Sequence, residues 1–592
     1  MSSKRLSKLE KIVLSYPKLD KRVSSRESEL EKVLKIVNEV KAQQSSIIIK
    51  MLVKFLDLTL AKLYDGMNFS LCSNWDFPAL LKKNNVVLVP NHQSHADYIA
   101  LNYMIYKKFK QLVHIAGGIN LNIFGVGRIF RLSGCFFIRR TFGSDILYKL
   151  TLEAYLYYLL HEGKSIEFFF EGGRSRSGKL QGPRFGLYQM IMEAHQALPA
   201  EKKKKLIFIP ISIIHEYVPE TRTLARELEG AKKHKESFGQ FLKVFKIFTY
   251  RLGSVHIKVG KPVEPKPIEN SKKQIQDLAF DCFREVGNNM LVTPTSLLAL
   301  IMLNEPSGAL KWEEIYPRAL KILAYCKKFD VPYCDSLAID QLERTLEDAI
   351  DLFINNKKID VIGESNLGHV FYAVNINARN ELLYFKNTIL HHFLIPWIIN
   401  LAWSNIFNGT ITNVAGIRKL LMTQRKQLKY EFYIPTVKQF AYKSREIISY
   451  CVGREIDDFS ETINLSFKEF YSIVSTIGVF SKSLIYIHEG YYISALAVQT
   501  LNSEMAEFSM DDFNRKSLEI YNWQKGIRRV ITFSESFSRP LLRNSIKFFL
   551  HHGFLTLEGG LYRVLDTEVF DDLLKGYEKN LMDQLSFNIR ES

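Results

Sequence analysis

At 592 residues the chain is too long for one ordinary domain, and length alone suggests about four. Its 47% hydrophobic and 24% charged residues are ordinary for globular proteins and supply a sizeable core. A net charge of +18 favours anionic partners, while six scattered cysteines without a C-x-x-C pair exclude a zinc ribbon or redox motif and fit a reducing compartment.

Residues 1–75 read as a helical region. Its start, "MSSKRLSKLEKIVL", is charged throughout and is not a secretory signal peptide. Within it, residues 47–69 place apolar residues at helical spacing between Lys50, Lys54, Asp57 and Lys62. That pattern suits an amphipathic helix, lying either in a membrane interface or against the domain.

From residue 76 to 270 short apolar runs alternate with helical patterns. The runs are Val86–Pro90, Leu112–Ala116, Cys135–Ile138, Ile166–Phe170, Leu206–Ile214 and Val255–Val259. Runs this short and continuous suit buried strands. Alternation with helices such as Leu147–Glu162 predicts an α/β domain with a largely parallel sheet flanked by helices.

Residues 271–592 read as mostly helical, with "VTPTSLLAL" (292–300) as a helix start. Residues 387–417 carry no Asp, Glu, Lys or Arg until Arg418. This stretch is either a buried helical hairpin or a segment that enters the membrane; Pro396, Asn400, Ser404 and Asn405 weigh against a simple span. Near the end, residues 545–565 read as helix, strand, Gly-Gly turn, strand, like the end of a winged helix.

Four stretches of the middle region carry chemistry. In "NHQSHADY" (91–98), Ser94 and Asp97 fit the S-x-x-D capping box, which would make Asp97 a helix cap and His92 a loop residue. The same residues admit a second reading. His92 falls in the turn at a strand's carboxyl end, where open α/β sheets bind ligands. Asp97 in the first helical turn can reach back, fix the imidazole tautomer and leave the other ring nitrogen as a base. No nucleophile accompanies the pair, so the base would deprotonate a hydroxyl brought by the substrate. His92 and His95 alone do not make a metal site, and none is expected.

The second stretch is "FFFEGGRSRSGKL" (168–180). Its glycines let backbone approach an anion, and its arginines can hold phosphate oxygens bidentately. Gly173, Gly178 and Lys179 match G-x-x-x-x-G-K, but Leu180 stands where a P-loop needs Ser or Thr. The third stretch, "GCFFIRRTF" (134–142), places Arg139 and Arg140 after a strand. The fourth, "LIFIPISIIHEYVPE" (206–220), reads as an edge or bulged strand interrupted by Pro210.

In order, H-x-x-x-x-D, G-x-x-F-I-R-R, F-x-E-G-G-R-S-R and I-P-I-S within about 125 residues resemble the glycerol-3-phosphate acyltransferase family, with its relatives that acylate dihydroxyacetone phosphate. The resemblance covers most of the chain beyond residue 45. It implies an acyltransferase domain at 76–270, moving a fatty acyl group from coenzyme A or acyl carrier protein to the sn-1 hydroxyl of glycerol 3-phosphate. Position by position, it implies His92 as general base and Asp97 as its partner. Arg139, Arg140, Arg174 and Arg176 would hold the phosphate. Ser175 with the Gly172–Gly173 backbone would help seat it, Glu171 would orient an arginine or meet a glycerol hydroxyl, and Pro210 would shape the floor.

No cofactor is implied beyond the acyl-CoA or carrier-protein co-substrate, and no nucleic acid is expected. The resemblance further implies a membrane-associated protein, peripheral or monotopic, on the cytoplasmic face. Little sequence precedes the catalytic domain, so attachment falls to residues 45–69, to basic surface or to 387–417. Dihydroxyacetone phosphate as acceptor, and a non-catalytic binder of anionic lipid or nucleic acid, stay open as alternatives.

Overall fold

The computed structural model describes residues 6–23, 27–73, 75–122, 126–139, 145–228, 252–266, 272–305, 307–363, 370–532 and 534–586. These form two compact units. The first comprises Met1–Ser175, Gln181–Pro219 and His234–Met290; the second comprises Arg176–Leu180, Glu220–Lys233 and Leu291–Ser592.

The first unit opens with α1 (Lys8–Leu14), α2 (Pro17–Val23), α3 (Glu27–Val40) and α4 (Ser46–Leu63). Then follow β1 (Gly66–Leu71), α5 (Phe77–Lys83), β2 (Asn85–Pro90), α6 (Asp97–Phe109) and β3 (Val113–Gly118). After α7 (Val126–Leu132) come β4 (Cys135–Ile138), α8 (Ile146–His161), β5 (Ser165–Glu167), α9 (Gly186–Gln196), β6 (Leu206–His215) and β7 (Ser254–Val259). The helix Lys272–Asn288 closes the unit, tied to β6 where Ser212 Oγ donates to the Val286 carbonyl at 2.7 Å.

The seven strands form one sheet in the order β1-β7-β6-β2-β5-β3-β4. Every neighbouring pair is parallel except β6 with β7. Parallel strands covered on both faces read as continuous apolar runs, and all six residues of β2 are buried. Each of Val86, Val87, Leu88 and Val89 is fully buried, a burial worth roughly 1.5–3 kcal/mol per side chain.

The strand order locates the ligand-binding edge. From β2 the chain crosses toward β3, and from its neighbour β5 it crosses the opposite way to β6. The two connections leave adjacent strands in opposite directions, which makes the carboxyl ends of β2 and β5 a switch point, the place at which doubly wound sheets take ligands.

Two local expectations change. The stretch 1–75 holds a strand, β1, which pairs with β7 from Gly66↔Ser254 to Leu71↔Val259. Its cue is the period-2 run of Met67, Phe69 and Leu71 alternating with Asn68 and Ser70. The N-terminal helices also pack within this unit: Glu153 on α8 accepts from Tyr16 Oη and, at 2.8 Å, from Lys18. The expected boundary at residue 75 therefore falls inside the first unit. The second change concerns Pro210, which lies in a continuous interior strand, not at an edge, registered with Val89 of β2. Its carbonyl accepts from Gly260 N–H at 2.8 Å just past the end of β7, so its missing N–H falls where ladder pairing has stopped.

The second unit is mostly helical. Its helix Pro294–Asn304 starts where "VTPTS" predicts, with Thr293 as cap in a reciprocal bond pattern with Ser296 and Pro294 in the first turn. The uncharged stretch contains the helix Leu394–Phe407, of which all but the last two residues are buried, and Asn400 Nδ2 donates to the Ile477 carbonyl at 2.8 Å. Among the described residues no single helix is long and apolar enough to cross a membrane; one bent pair, Phe467–Phe480 with Ile485–Glu504, meets that test by length and composition. Near the end, helix Arg539–His551 leads into the hairpin Leu555–Glu558 and Leu561–Val564, turned by Gly559 and Gly560, both at positive φ.

Candidate active site

The loop after β2 is stitched to β6 before any chemistry begins. Asn91 Nδ2 donates to the Ile213 carbonyl at 3.0 Å, and Asn91 Oδ1 accepts from Ile213 N–H at 2.7 Å. That side chain continues the sheet ladder where the backbone of β2 turns away, and so fixes where His92 leaves the strand.

His92 is held on three sides. Its N–H donates to Glu171 Oε1 at 2.7 Å, its ring lies stacked on Phe169 at 4.1 Å, and its Nδ1 meets Asp97 Oδ2 at 2.8 Å. Asp97 is fully buried. Burial alone would push its carboxyl up, but the bonds from His215 and His92 hold it well below the usual carboxylate range. A carboxylate on Nδ1 fixes that nitrogen as the protonated one and presents Nε2 as a base; Nε2 has no hydrogen-bond partner among the described residues.

The expected S-x-x-D cap forms only in part: the N-cap of α6 is Ala96, without a side-chain cap bond, and one oxygen of Asp97 bonds both the turn and His92. The same Oδ2 accepts from Gln93 N–H at 2.6 Å and Ser94 N–H at 3.0 Å, while Ser94 Oγ accepts from Ala96 N–H at 3.2 Å. The turn that starts α6 is thus the turn that aims the carboxylate at His92.

His215 was not anticipated. Its Nε2 meets Asp97 Oδ1 at 2.6 Å, and the ring is almost fully buried. A sequence signal existed: it ends the I-P-I-S strand, and β6 lies beside β2, so its carboxyl end shares the edge that holds His92. The pairing of β6 with β2 cannot be read from either segment alone. Glu167 at the end of β5 was also passed over. It is fully buried, accepts from Asn102 Nδ2 at 2.7 Å, and is pushed up to about 8 by burial, with the Asp97 charge adding to the effect.

The glycine–arginine loop follows β5. Phe168 and Phe170 N–H donate to the Leu88 and Pro90 carbonyls, carrying the alignment with β2 beyond Glu167. Glu171 straps the loop: one oxygen takes His92 N–H and the other takes Gln181 N–H at 3.1 Å. Burial pushes its carboxyl up to about 8 against the pull of those two bonds. Among the described residues Glu171 bonds no arginine, and its side chain is buried. Gly172 has φ 69, a left-handed conformation suited to glycine, and a Cβ built on Gly173 would meet nothing within 4 Å, so its backbone borders open space. Arg174 is half-buried, and Ser175 is buried, its N–H donating to the His92 carbonyl at 2.8 Å.

The remaining arginines divide. Arg139 departs from the expectation of a phosphate ligand. Its fork grips Glu39 of α3 through Nε at 2.7 Å and Nη2 at 2.6 Å, Nη1 reaches Asp145 at 3.2 Å, and the guanidinium lies over the Tyr148 ring. A bidentate pair with one carboxylate leaves no free fork for a phosphate. Arg140 lies outside the described residues. In the second unit, Arg176 pairs with Glu227 at 2.9 Å and Lys179 with Glu431 at 2.5 Å, while Ser177's carbonyl accepts from Asn387 Nδ2 at 2.8 Å.

Two family models match the chain. One, described as the glycerol-3-phosphate acyltransferase C-terminal region, matches residues 224–558, more than half of the 592 residues. The chain belongs to the glycerol-3-phosphate acyltransferase family. The other model, described as acyltransferase, matches residues 76–214 and includes His92, Asp97 and the glycine–arginine loop.

Three similar proteins bear the name glycerol-3-phosphate acyltransferase. The one from Pseudoalteromonas translucida is 28% identical over 81% of this chain and 60% of its own length. That of Glaesserella parasuis is 31% identical over 64% of this chain and 48% of its own, and that of Pseudomonas aeruginosa 31% over 62% and 45%. The chain thus spans about half the length of the curated relatives it matches. Among solved structures, the 1-acyl-sn-glycerophosphate acyltransferase of Thermotoga maritima matches at 20% identity, 40% of this chain, 78% of that chain and a TM-score of 0.26, a likeness too slight to build on.

Proposed function

We propose that the protein transfers a fatty acyl group from a coenzyme A or acyl-carrier-protein thioester to the sn-1 hydroxyl of glycerol 3-phosphate. The observation that carries this reading is the 2.8 Å bond between His92 Nδ1 and the buried Asp97 carboxylate, at the switch point of the sheet and beside an open glycine backbone.

In this reading, His92 Nε2 takes the proton of the sn-1 hydroxyl as that oxygen attacks the thioester carbonyl. Asp97 stabilises the imidazolium that forms. Collapse of the tetrahedral intermediate breaks the C–S bond, the acyl ester forms, and the thiol sulfur leaves with the proton returned from His92. A thiol has a pKa of about 8.5, so the leaving group needs little acid assistance. Arg174 and the Gly172–Gly173 backbone hold the phosphate, and Ser175 keeps their loop in register with His92. Arg140 is kept as a further phosphate ligand. Pro210 shapes the floor through its place opposite Val89.

We place this reaction at a membrane surface on the cytoplasmic face, with the protein bound peripherally. The support is one face of α4, on which Ile47, Met51, Phe55 and Leu58 are exposed at helical spacing, between the exposed Lys50, Lys54 and Lys62. An apolar stripe flanked by lysines suits an anionic leaflet, and Asp57, the acid of this helix, is paired with Lys107.

The test is an acyl-transfer assay with palmitoyl-CoA and glycerol 3-phosphate, run in parallel with dihydroxyacetone phosphate and with acyl carrier protein as donor. Lysophosphatidate formation that disappears in His92→Ala supports the reading. Turnover retained in that variant refutes the role of His92, and faster acylation of dihydroxyacetone phosphate reassigns the acceptor.

A further inference from the structure

The Asp97 carboxylate is not the private partner of one histidine. Oδ2 accepts from His92 Nδ1, Gln93 N–H and Ser94 N–H, and Oδ1 meets His215 Nε2 at 2.6 Å. His215 Nδ1 lies 3.5 Å from Tyr64 Oη at the end of α4, and the His215 backbone N–H reaches Gln93 Oε1 at 3.4 Å. The second imidazole is therefore pinned by two elements besides its own strand, and its ring is 1% exposed.

We propose that His215 is a positioning residue for the acyl transfer: by sharing the Asp97 carboxylate with His92, it sets the pH at which the His92–Asp97 dyad is a free base.

The physical reason is competition for one charge. An N–H that donates to a carboxylate withdraws negative charge from it, so less remains to stabilise a proton on the opposite imidazole. With His215 donating to Oδ1, the dyad releases its proton at a lower pH than an unshared Asp97 would allow. His215 also occupies the oxygen that does not face His92, which stops the buried carboxylate from turning away.

The other titratable groups around the cluster do not take over this role. Glu171 faces His92 from the loop after β5, and Glu167 stands at the end of β5. Burial pushes both up to about 8, so both are largely protonated at pH 7 and Asp97 is the ionised carboxylate of the group. Tyr64 contributes a neutral hydroxyl. On β7, His256 is paired with Glu216 at 3.0 Å and registered with Ile214, on the face opposite His215.

The experiment is the pH profile of kcat/KM for the full chain, with wild type, His215→Phe and His215→Gln compared. The inference rests on the proposed role of His92. In H215F the acidic limb moves up by about one pH unit, the scale on which one neighbouring hydrogen bond or charge acts. Activity near pH 7 then falls several-fold while the high-pH plateau stays close to wild type. In H215Q, whose amide N–H can still reach Asp97, the limb returns toward the wild-type position. A purely structural role lowers the whole curve without moving the limb.

An H215F limb that overlays the wild type overturns the inference. If H215F does not fold, H215L takes its place: a limb displaced upward supports charge sharing, and one that overlays the wild type refutes it. Failure of the underlying reading is distinguishable, because H92A would then keep its turnover. An inactive H92A with an unmoved H215F limb sinks only the claim about His215.

Discussion

Ser175 donates its backbone N–H to the carbonyl of His92 at 2.8 Å, although the two residues sit on loops that follow different strands. The bond ties the candidate base to the glycine–arginine loop through main chain alone. Glu171 Oε1 adds a second tie to the N–H of the same residue. The candidate base and the glycine–arginine loop are thereby set in register by a main-chain brace that does not depend on the Ser175 side chain.

The dyad itself predicts a graded loss. Asp97→Asn keeps the size of the side chain, but it removes the charge that stabilises the imidazolium and replaces an acceptor with a donor. Turnover should fall by about 10²–10⁴-fold, the usual contribution of a positioned base, with His92→Ala at least as severe. Steady-state kinetics with circular dichroism as a folding control measures this; activity within tenfold of wild type in either variant contradicts the assignment.

Two arginines should behave oppositely. Arg139 serves Glu39 and Asp145 rather than substrate, so Arg139→Ala should lower Tm by a few degrees and leave KM for glycerol 3-phosphate within about threefold. The expected loss is small because these groups are partly exposed and surface pairs are worth about 0–1 kcal/mol. Arg174→Ala should raise that KM by roughly tenfold or more, the scale of one lost charge-assisted bond. Substrate titrations and thermal melts separate the two.

Glu167 predicts a pH dependence of stability. Its folded pKa is raised to about 8 by burial, above the ordinary carboxyl value. The folded state therefore holds a proton that the unfolded chain releases. Its contribution is fully present below the unfolded pKa and is lost as pH rises through about 8. Glu167→Gln keeps the acceptor for Asn102 and cannot ionise. Its Tm should match wild type near pH 5 and exceed it at pH 9, by roughly 2–4 °C for each kcal/mol involved. Parallel melts from pH 5 to 9 check the sign.

The exposed face of α4 predicts lipid binding. Replacing Ile47, Met51, Phe55 and Leu58 together with Ser should abolish co-flotation with vesicles of anionic phospholipid, while Tm stays within a few degrees because these side chains bury little. Replacing Lys50, Lys54 and Lys62 with Gln should weaken binding by about 1 kcal/mol per lysine at low salt. Undiminished flotation of the first variant would move the membrane contact elsewhere.

Most of the strands were legible because a parallel sheet covered on both faces demands unbroken apolar runs, and β2, β4, β6 and β7 supply them. β1 was hidden because a half-buried edge strand carries only every second apolar residue, next to a helix rich in them. The bond from Asp97 to His92 was visible in H-x-x-x-x-D, since five residues of turn determine it locally. Arg139 misled because a basic pair after a strand looks the same whether its partner is a ligand or a glutamate 100 positions earlier.

What the residues determined by themselves is local: periodicity, turn chemistry and the spacing that lets Asp97 reach back to His92, all governed by bonds within a few positions. The order of strands in the sheet was decided by tertiary structure alone. That order put β6 beside β2 and so carried His215 onto Asp97 across 118 positions of chain, because neighbours in a parallel sheet are chosen by how distant segments bury one another's faces, which no single segment encodes.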